Sequence, residues 1–282
     1  MPIESISDTA RWVAIYRAME SERPDALFKD PFARRLAGPR GEEIVRTVPR
    51  GRSMAWPMIV RTQVLDEMIL KCIGEGADLV LNLAAGLDAR PFRMALPPEL
   101  LWVEVDFPEI LKEKQELMDG AKPVCRFEAV GMDLTDRPAR QALFRRLGAS
   151  GKRGVVITEG LLVYLTETLV SELAADLRAV PTFRWWLMDL ASPRLLKMLA
   201  KQWGPSLKAA NAPMQWAPAQ GVEFFRPLGW KLGEFRSTWE ESQRLHREMP
   251  LAWLWRFLGR FYPAKTREEF RTMSGMAMFI AE

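Results

Sequence analysis

Short apolar runs alternate with amphipathic segments through the middle of this chain, and that alternation restricts the fold more than any other feature. "DLVLNL" (78–83), "LWVEVD" (101–106), "CRFEAVGMD" (125–133), "GVVITEG" (154–160) and "FRWWLMDL" (183–190) read as strands. "PEILKEKQELM", "RPARQALFRRLG" and "TETLVSELAADLRA" carry the helical period between them. Thr166 stands where an N-cap would open the last of these helices, and Thr135 or Asp136 does so for the one before. Strands in alternation with helices imply a parallel sheet with helices on both faces. The chain has 282 residues and is 48% hydrophobic, enough for one large domain with a sizeable core, or a domain with an added lid.

Two flanks fall outside this pattern. Residues 1–75 read as a helical extension that caps the core of residues 76–282. Its helices are "ARWVAIYRAMESE" and "MAWPMIVRTQVLDEMILKCI", with "RPDALFKDPFARRLAGPRG" as a loop-rich link. Residues 192–220, rich in Pro, Trp, Lys and Ala, interrupt the core before the last two strand candidates, "GWKLGEFRS" and "TMSGMAMFIAE". A long insertion at that point is a natural helical lid or substrate wall.

The turn in "LVLNLAAGLDARPF" is stripped of side chains directly after a buried strand. In open α/β sheets ligands sit beyond the carboxyl ends of the strands, and this turn is the closest backbone approach. Gly86 can take a positive φ there at no steric cost. The next strand ends in Asp106, where an adenosine ribose presents its hydroxyls. The third ends in "MDL" and the fourth in "TEG", which places Asp133 and Glu159 at the same rim. Three strand ends with a carboxylate each point to a site rather than to solubility.

Read as Ala84-x-Gly86-x-x-Ala89, the turn is a degenerate dinucleotide fingerprint, and an NAD(P)-dependent oxidoreductase is one reading. A pyrophosphate, however, wants bare N–H groups and no carboxylates nearby, whereas Asp88, Asp133 and Glu159 crowd this rim. An acidic pocket suits S-adenosyl-L-methionine, which carries a sulfonium and an ammonium. A non-catalytic adenosyl-ligand binding protein is a third reading, because no general base is evident.

"NLAAGLDARPFRM", "VEVDFPEIL", "GMDLTD" and "ITEGLLVYL", with "RTQVLDEMI" and "FKDPFARRLAG" upstream, together resemble the leucine carboxyl methyltransferase family. The closer likeness is to its bacterial branch of O-methyltransferases of polyketide and other small-molecule tailoring. The resemblance implies a class I methyltransferase, Rossmann-like α/β fold: a seven-stranded sheet whose last strand is antiparallel. It implies S-adenosyl-L-methionine as cofactor, with Arg61 on the methionine carboxylate, Gly86 under the methionine part and Asp106 on the ribose. Asp133 and the Leu134 N–H would hold the adenine, and Glu159 would face the ammonium end. The family usually has Gly where this chain has Ala84. Ala is tolerable there if φ stays negative.

The acceptor is then a carboxylate, hydroxyl or enol of a small molecule, acidic or aromatic in character. Tyr164, just after Glu159, is the candidate to line its pocket. The acceptor cavity is expected between the first helix (Trp12 to Met19) and the 192–220 insertion. Of 11 tryptophans, Trp203 and Trp216 lie in that insertion and suit a flat apolar substrate, while Trp12, Trp56, Trp239, Trp253 and Trp255 are expected to pack accessory helices. His246, the single histidine, sits in a charged helical stretch and reads as a surface residue. Two isolated cysteines and one histidine offer no metal site and no disulfide framework. The net charge of +4 is spread among 36 acidic residues, so no nucleic-acid partner is expected. The first residues lack a signal-peptide layout, and no run is long enough to span a bilayer. A cytoplasmic protein with no membrane partner is the expectation.

Overall fold

The computed structural model describes residues 6–48, 51–209 and 213–282, with the backbone alone for 203–209, so the Trp203 side chain lies outside the described residues. Seven strands form one sheet: β1 (Leu79–Leu83), β2 (Leu101–Asp106), β3 (Arg126–Gly131), β4 (Gly154–Thr158), β5 (Phe183–Ala191), β6 (Trp230–Ser237) and β7 (Ser274–Ala281). Their order is β3-β2-β1-β4-β5-β7-β6. Strands β1 to β5 pair in parallel, and β7 runs antiparallel between β5 and β6. The order reverses between β1 and β4, so the crevice for a ligand opens at their carboxyl ends.

Burial explains why these segments are strands. All five residues of β1 and of β4 are buried, as a parallel sheet covered on both faces requires. Leu79, Leu81, Leu83 and Val156 point to one face, where helices α6 (Arg137–Gly148) and α7 (Glu167–Arg178) bring Phe144, Leu147, Leu173 and Leu177. Val80, Trp102, Val155 and Ile157 point to the other, against Val64, Leu65 and Met68 of α3 (Trp56–Gly74). The Asp136 side chain caps α6 by accepting from the Ala139 N–H, and Thr166 caps α7 by accepting from Leu169.

The N-terminal flank is more helical than its composition suggests. Helix α1 (Ile6–Ser21) is followed by α2 (Ala33–Thr47), which runs through much of the expected loop-rich link. Gly38 leaves the helix with φ 60° and ψ −174°, and the chain turns helical again from Pro39. A Gly–Pro pair reads as a stop, but Pro is tolerated in the first turn of a helix. Buried Leu36, Ala37, Ile44 and Val45 supply the packing that carries α2 past the kink. The remaining helices are α4 (Arg90–Arg93), α5 (Pro108–Leu117), α8 (Pro193–Ala209), α9 (Thr238–Arg244), α10 (Ala252–Gly259) and α11 (Ala264–Arg271). Helix α8 begins the 192–220 segment. After it, Gln215 and Trp216 both donate backbone N–H groups to the Val163 carbonyl, at 2.8 and 3.2 Å.

The turn after β1 departs from expectation at one residue. Ala84 has φ 55°, not the negative φ that would make alanine comfortable there. The turn keeps a glycine-like shape because Gly86, two residues on, is held by a hydrogen bond to the end of β2. A left-handed non-glycine residue costs on the order of 1–2 kcal/mol. Beneath that turn, Glu104 is fully buried in β2 and accepts from Lys114 of α5 at 2.5 Å. Burial pushes its carboxyl up to about 7, against the opposing pull of Lys114.

Two outcomes are expected. Ala84→Gly should raise folding stability by about 0.5–1 kcal/mol, the relieved strain exceeding the added unfolded-state entropy; a lower urea midpoint would contradict the assignment. Glu104 holds a proton in the folded state that the unfolded chain releases near its ordinary value of 4.5. Its contribution is therefore full below that value and is lost as pH rises through about 7. Glu104→Gln should flatten that part of the stability profile, as read by denaturation midpoints across the window.

Candidate active site

A cavity of about 540 Å³ opens at the carboxyl ends of β1, β2, β4 and β5. Its floor is built around Asp88 in the turn after β1. The Asn82 side chain, at the end of β1, donates to Asp88 Oδ2 at 2.9 Å. Arg90 reaches the same carboxylate twice, through its backbone N–H (2.9 Å) and a guanidinium N–H (2.7 Å). Burial works to raise the Asp88 carboxyl, but Arg90, then Lys114, Arg17 and Arg93, hold it well below the usual carboxylate range. It stays ionised and fixes the turn.

Asp106 closes β2 with its carboxylate against this turn. Gly86 donates its N–H to Oδ2 at 2.7 Å, and Phe107 donates to Oδ1 at 2.8 Å. Burial raises the Asp106 carboxyl, with both N–H groups working against the rise. Each oxygen keeps capacity for a further donor. A Cβ at Gly86 would stand 3.4 Å from the Ala10 side chain in a φ of 52°, so the turn favours glycine for its backbone conformation, with α1 lying close against it.

Opposite lies a chain of buried and half-buried ion pairs. Arg90 bonds Asp66 of α3 at 2.6 Å and Glu159 at 2.8 Å. Glu159 in turn meets Arg61 of α3 at 2.9 Å, and Arg61 reaches Asp189 at 3.1 Å. The Gly160 N–H donates to the second Asp189 oxygen at 2.6 Å. Burial works to raise Glu159, but Arg90 and Arg61 hold it below its ordinary value. One η-nitrogen of Arg90 is buried with no hydrogen-bond partner.

Asp133 also lines the cavity, though it is exposed. It accepts from the Thr135 N–H and hydroxyl, both at 2.8 Å. The adjacent Leu134 gives its carbonyl to Arg140 at 2.6 Å. Tyr164 sits in a short helical turn (Leu162–Tyr164) with its phenol facing Arg61 and Asp189. Burial raises the phenol, Arg61 opposes and Asp189 adds to the rise. It is a neutral hydrogen-bonding group at neutral pH, not a base.

The structure thus gathers Arg61, Ala84, Gly86, Asp106, Asp133, Leu134, Glu159 and Tyr164 around one cavity. Its remaining wall comes from the two flanks: Trp12, Val13 and Tyr16 of α1, Leu195 and Leu199 of α8, and Met214 and Trp216 after it. His246 is exposed at the end of α9 and lines no part of it.

Asp189 and Arg90 were not singled out from the sequence. Asp189 lies two residues before the end of β5, within "MDL", the same tripeptide that marks Asp133, and that repetition is the available signal. Arg90 stands in the "LDARPF" turn beside Asp88, where nothing local shows that it reaches Asp66 and Glu159.

A family model for leucine carboxyl methyltransferase matches residues 10–178. A "putative S-adenosyl-L-methionine-dependent methyltransferase" of Streptomyces coelicolor is 32% identical over 263 residues, covering 87% of each chain. Among solved structures, a DUF574 family protein of Streptomyces avermitilis superposes with TM-score 0.61 at 14% identity, over 97% of each chain. A "putative methyltransferase" of Thermobifida fusca gives 0.60 at 14% identity, over 100% of this chain and 96% of that one. At that identity the structures speak to the fold, the class I methyltransferase sheet. The family match and the Streptomyces coelicolor relative speak to descent, and the chain belongs to the leucine carboxyl methyltransferase family.

Proposed function

We propose that this S-adenosyl-L-methionine-dependent methyltransferase methylates an oxygen, carboxylate or hydroxyl/enol, of a small molecule with an apolar body. The carrying observation is the placement of Arg61 between Glu159 and Asp189 at the cofactor end of the cavity. This is the charge pattern of an amino-acid zwitterion turned inside out. A ligand carboxylate would exchange onto Arg61, and a ligand ammonium onto Glu159 and Asp189. Asp106 supplies two carboxylate oxygens to ribose hydroxyls, while Asp133 and Leu134 would flank the adenine. A dinucleotide phosphate fits less well, because the Gly86 N–H is already given to Asp106.

When bound, the cofactor supplies an electrophilic methyl group. The protein's part is alignment and exclusion of water. Trp12, Tyr16, Trp56, Met214 and Trp216 give the acceptor end an apolar wall. Arg17, Arg61 and Arg90, the cations on that cavity, are each already paired with a carboxylate. That pairing favours an acceptor with one reacting oxygen over a polyanion. The Tyr164 hydroxyl is the group suited to donate to that oxygen. A carboxylate acceptor needs no base, since it is ionised at neutral pH.

Asp106→Ala should weaken S-adenosyl-L-methionine binding by about 1.5–3 kcal/mol, the range for hydrogen bonds to a charged group, in a variant of unchanged melting temperature. Unchanged affinity in titration calorimetry would remove Asp106 from the site. Arg61→Ala should lose affinity for S-adenosylhomocysteine but not for methylthioadenosine, which lacks the amino-acid part; equal loss for both would make Arg61 structural. The oxygen acceptor is tested with methyl-labelled cofactor and a compound library. Label released as methanol in mild alkali marks an ester, alkali-stable label on oxygen an ether, and label only on nitrogen or carbon overturns the reading.

A further inference from the structure

Helix α10, "AWLWRFLG", presents most of its large apolar residues to the outside. Ala252, at its start, is buried and Leu254 is half-buried. Trp253, Trp255 and Phe257 are 62%, 47% and 51% exposed, and Leu251, Leu258 and Phe261 beside them are 60%, 38% and 74% exposed. At about 100° per residue these side chains sweep an arc of about 200° around the helix. Scattered exposed hydrophobics are ordinary, but a contiguous group of this size marks an interaction surface.

The surrounding charges say what covers it. The acidic residues nearby are locally neutralised: Glu248 pairs with Arg256, Glu268 with Arg271 and Glu269 with Arg194. Arg260, Lys265 and Arg267 are exposed and make no ion pair among the described residues. The patch is therefore aromatic at its centre and cationic at its edge. A two-fold pairing of the chain with itself would bring this face against its own copy, cations included. Anionic headgroups over an acyl boundary match both parts at once, with Trp and Phe at the interface and Arg and Lys on the phosphates.

We propose that α10 and its flanks form a docking surface for a membrane bearing anionic lipid. No helix of the described residues is long and apolar enough to cross a bilayer, and docking of this kind needs none. The expectation of no membrane partner rested on the lack of a spanning run alone. The surface also has a definite relation to the cavity. Helices α9 to α11 connect β6 to β7. Thr238 at the start of that connection and Met273 to Met276 at its end both line the cavity. The inference stands apart from the identity of the methyl acceptor, because binding is read without turnover.

The test is flotation of the full chain with vesicles of phosphatidylcholine, with and without phosphatidylglycerol. The chain should float with the anionic vesicles and much less with the neutral ones. Trp253→Ser with Trp255→Ser, and separately Arg260→Glu with Arg267→Glu, should each lower the partition by about tenfold or more at unchanged melting temperature. No flotation with either vesicle, or flotation that neither variant changes, overturns the proposal. Light scattering that shows a dimer, turned monomeric by the tryptophan pair, would overturn it in favour of a second copy on this face.

Discussion

One buried guanidinium holds the candidate site together. Arg90 joins Asp66 on α3, Asp88 in the turn after β1 and Glu159 beyond β4. A buried charge is tolerated only when it is paired, and each of these three carboxylates is itself buried or nearly so. The consequence is geometric. The turn cannot shift relative to α3 without stranding a charge, so Arg61, further along α3, is set opposite the strand ends. Arg17 of α1 repeats the device: it bonds Asp30 at 2.9 Å and the Leu87 carbonyl at 2.5 Å. The first helix is thereby tied to the turn after β1 by charge as well as by packing, and its side chains line part of the cavity.

The periodic parts of this fold were legible because each strand and helix satisfies its own pattern. β1 and β4 are continuous apolar runs, and Asp136 and Thr166 stand where helix caps must stand. The acidic strand ends were legible for the same reason: Asp106, Asp133 and Glu159 break the apolar pattern where the sheet ends. What escaped notice was set by distance in the chain. Arg90 and Glu159 are 69 residues apart, and Arg61 and Asp189 are 128 apart, so no local rule joins them. Helix α2 was obscured by its Gly–Pro pair. Ala84 shows the reverse case, a local preference overridden by the Gly86–Asp106 hydrogen bond next to it.

Helix α10 departs from expectation for a different reason. Trp253 and Trp255 were expected to pack because large apolar residues usually do, yet a helix with apolar residues around most of its circumference does not reveal which side meets the protein. Of its residues Ala252 alone is buried, at the first position of the helix, and a side chain at Gly259 would meet nothing within 4 Å.

Methyl transfer asks little covalent chemistry of a protein. The donor is already activated, and what remains is to hold the accepting atom in line with it in a dry space. This cavity divides that work by composition. Most charged groups lie at the strand ends and on the facing part of α3, where Arg61, Arg90, Asp88, Glu159 and Asp189 satisfy one another, while Arg17 of α1 is paired with Asp30. The wall toward α1 and the segment after α8 is aromatic and aliphatic. An arrangement in which the charges neutralise each other before any ligand arrives keeps the acceptor end free of strong fields. On the function proposed above, the identity of the acceptor is governed by shape and apolar contact along Trp12, Trp56 and Trp216, which line the cavity, and substitutions there are the ones that would change what is methylated while leaving cofactor binding intact.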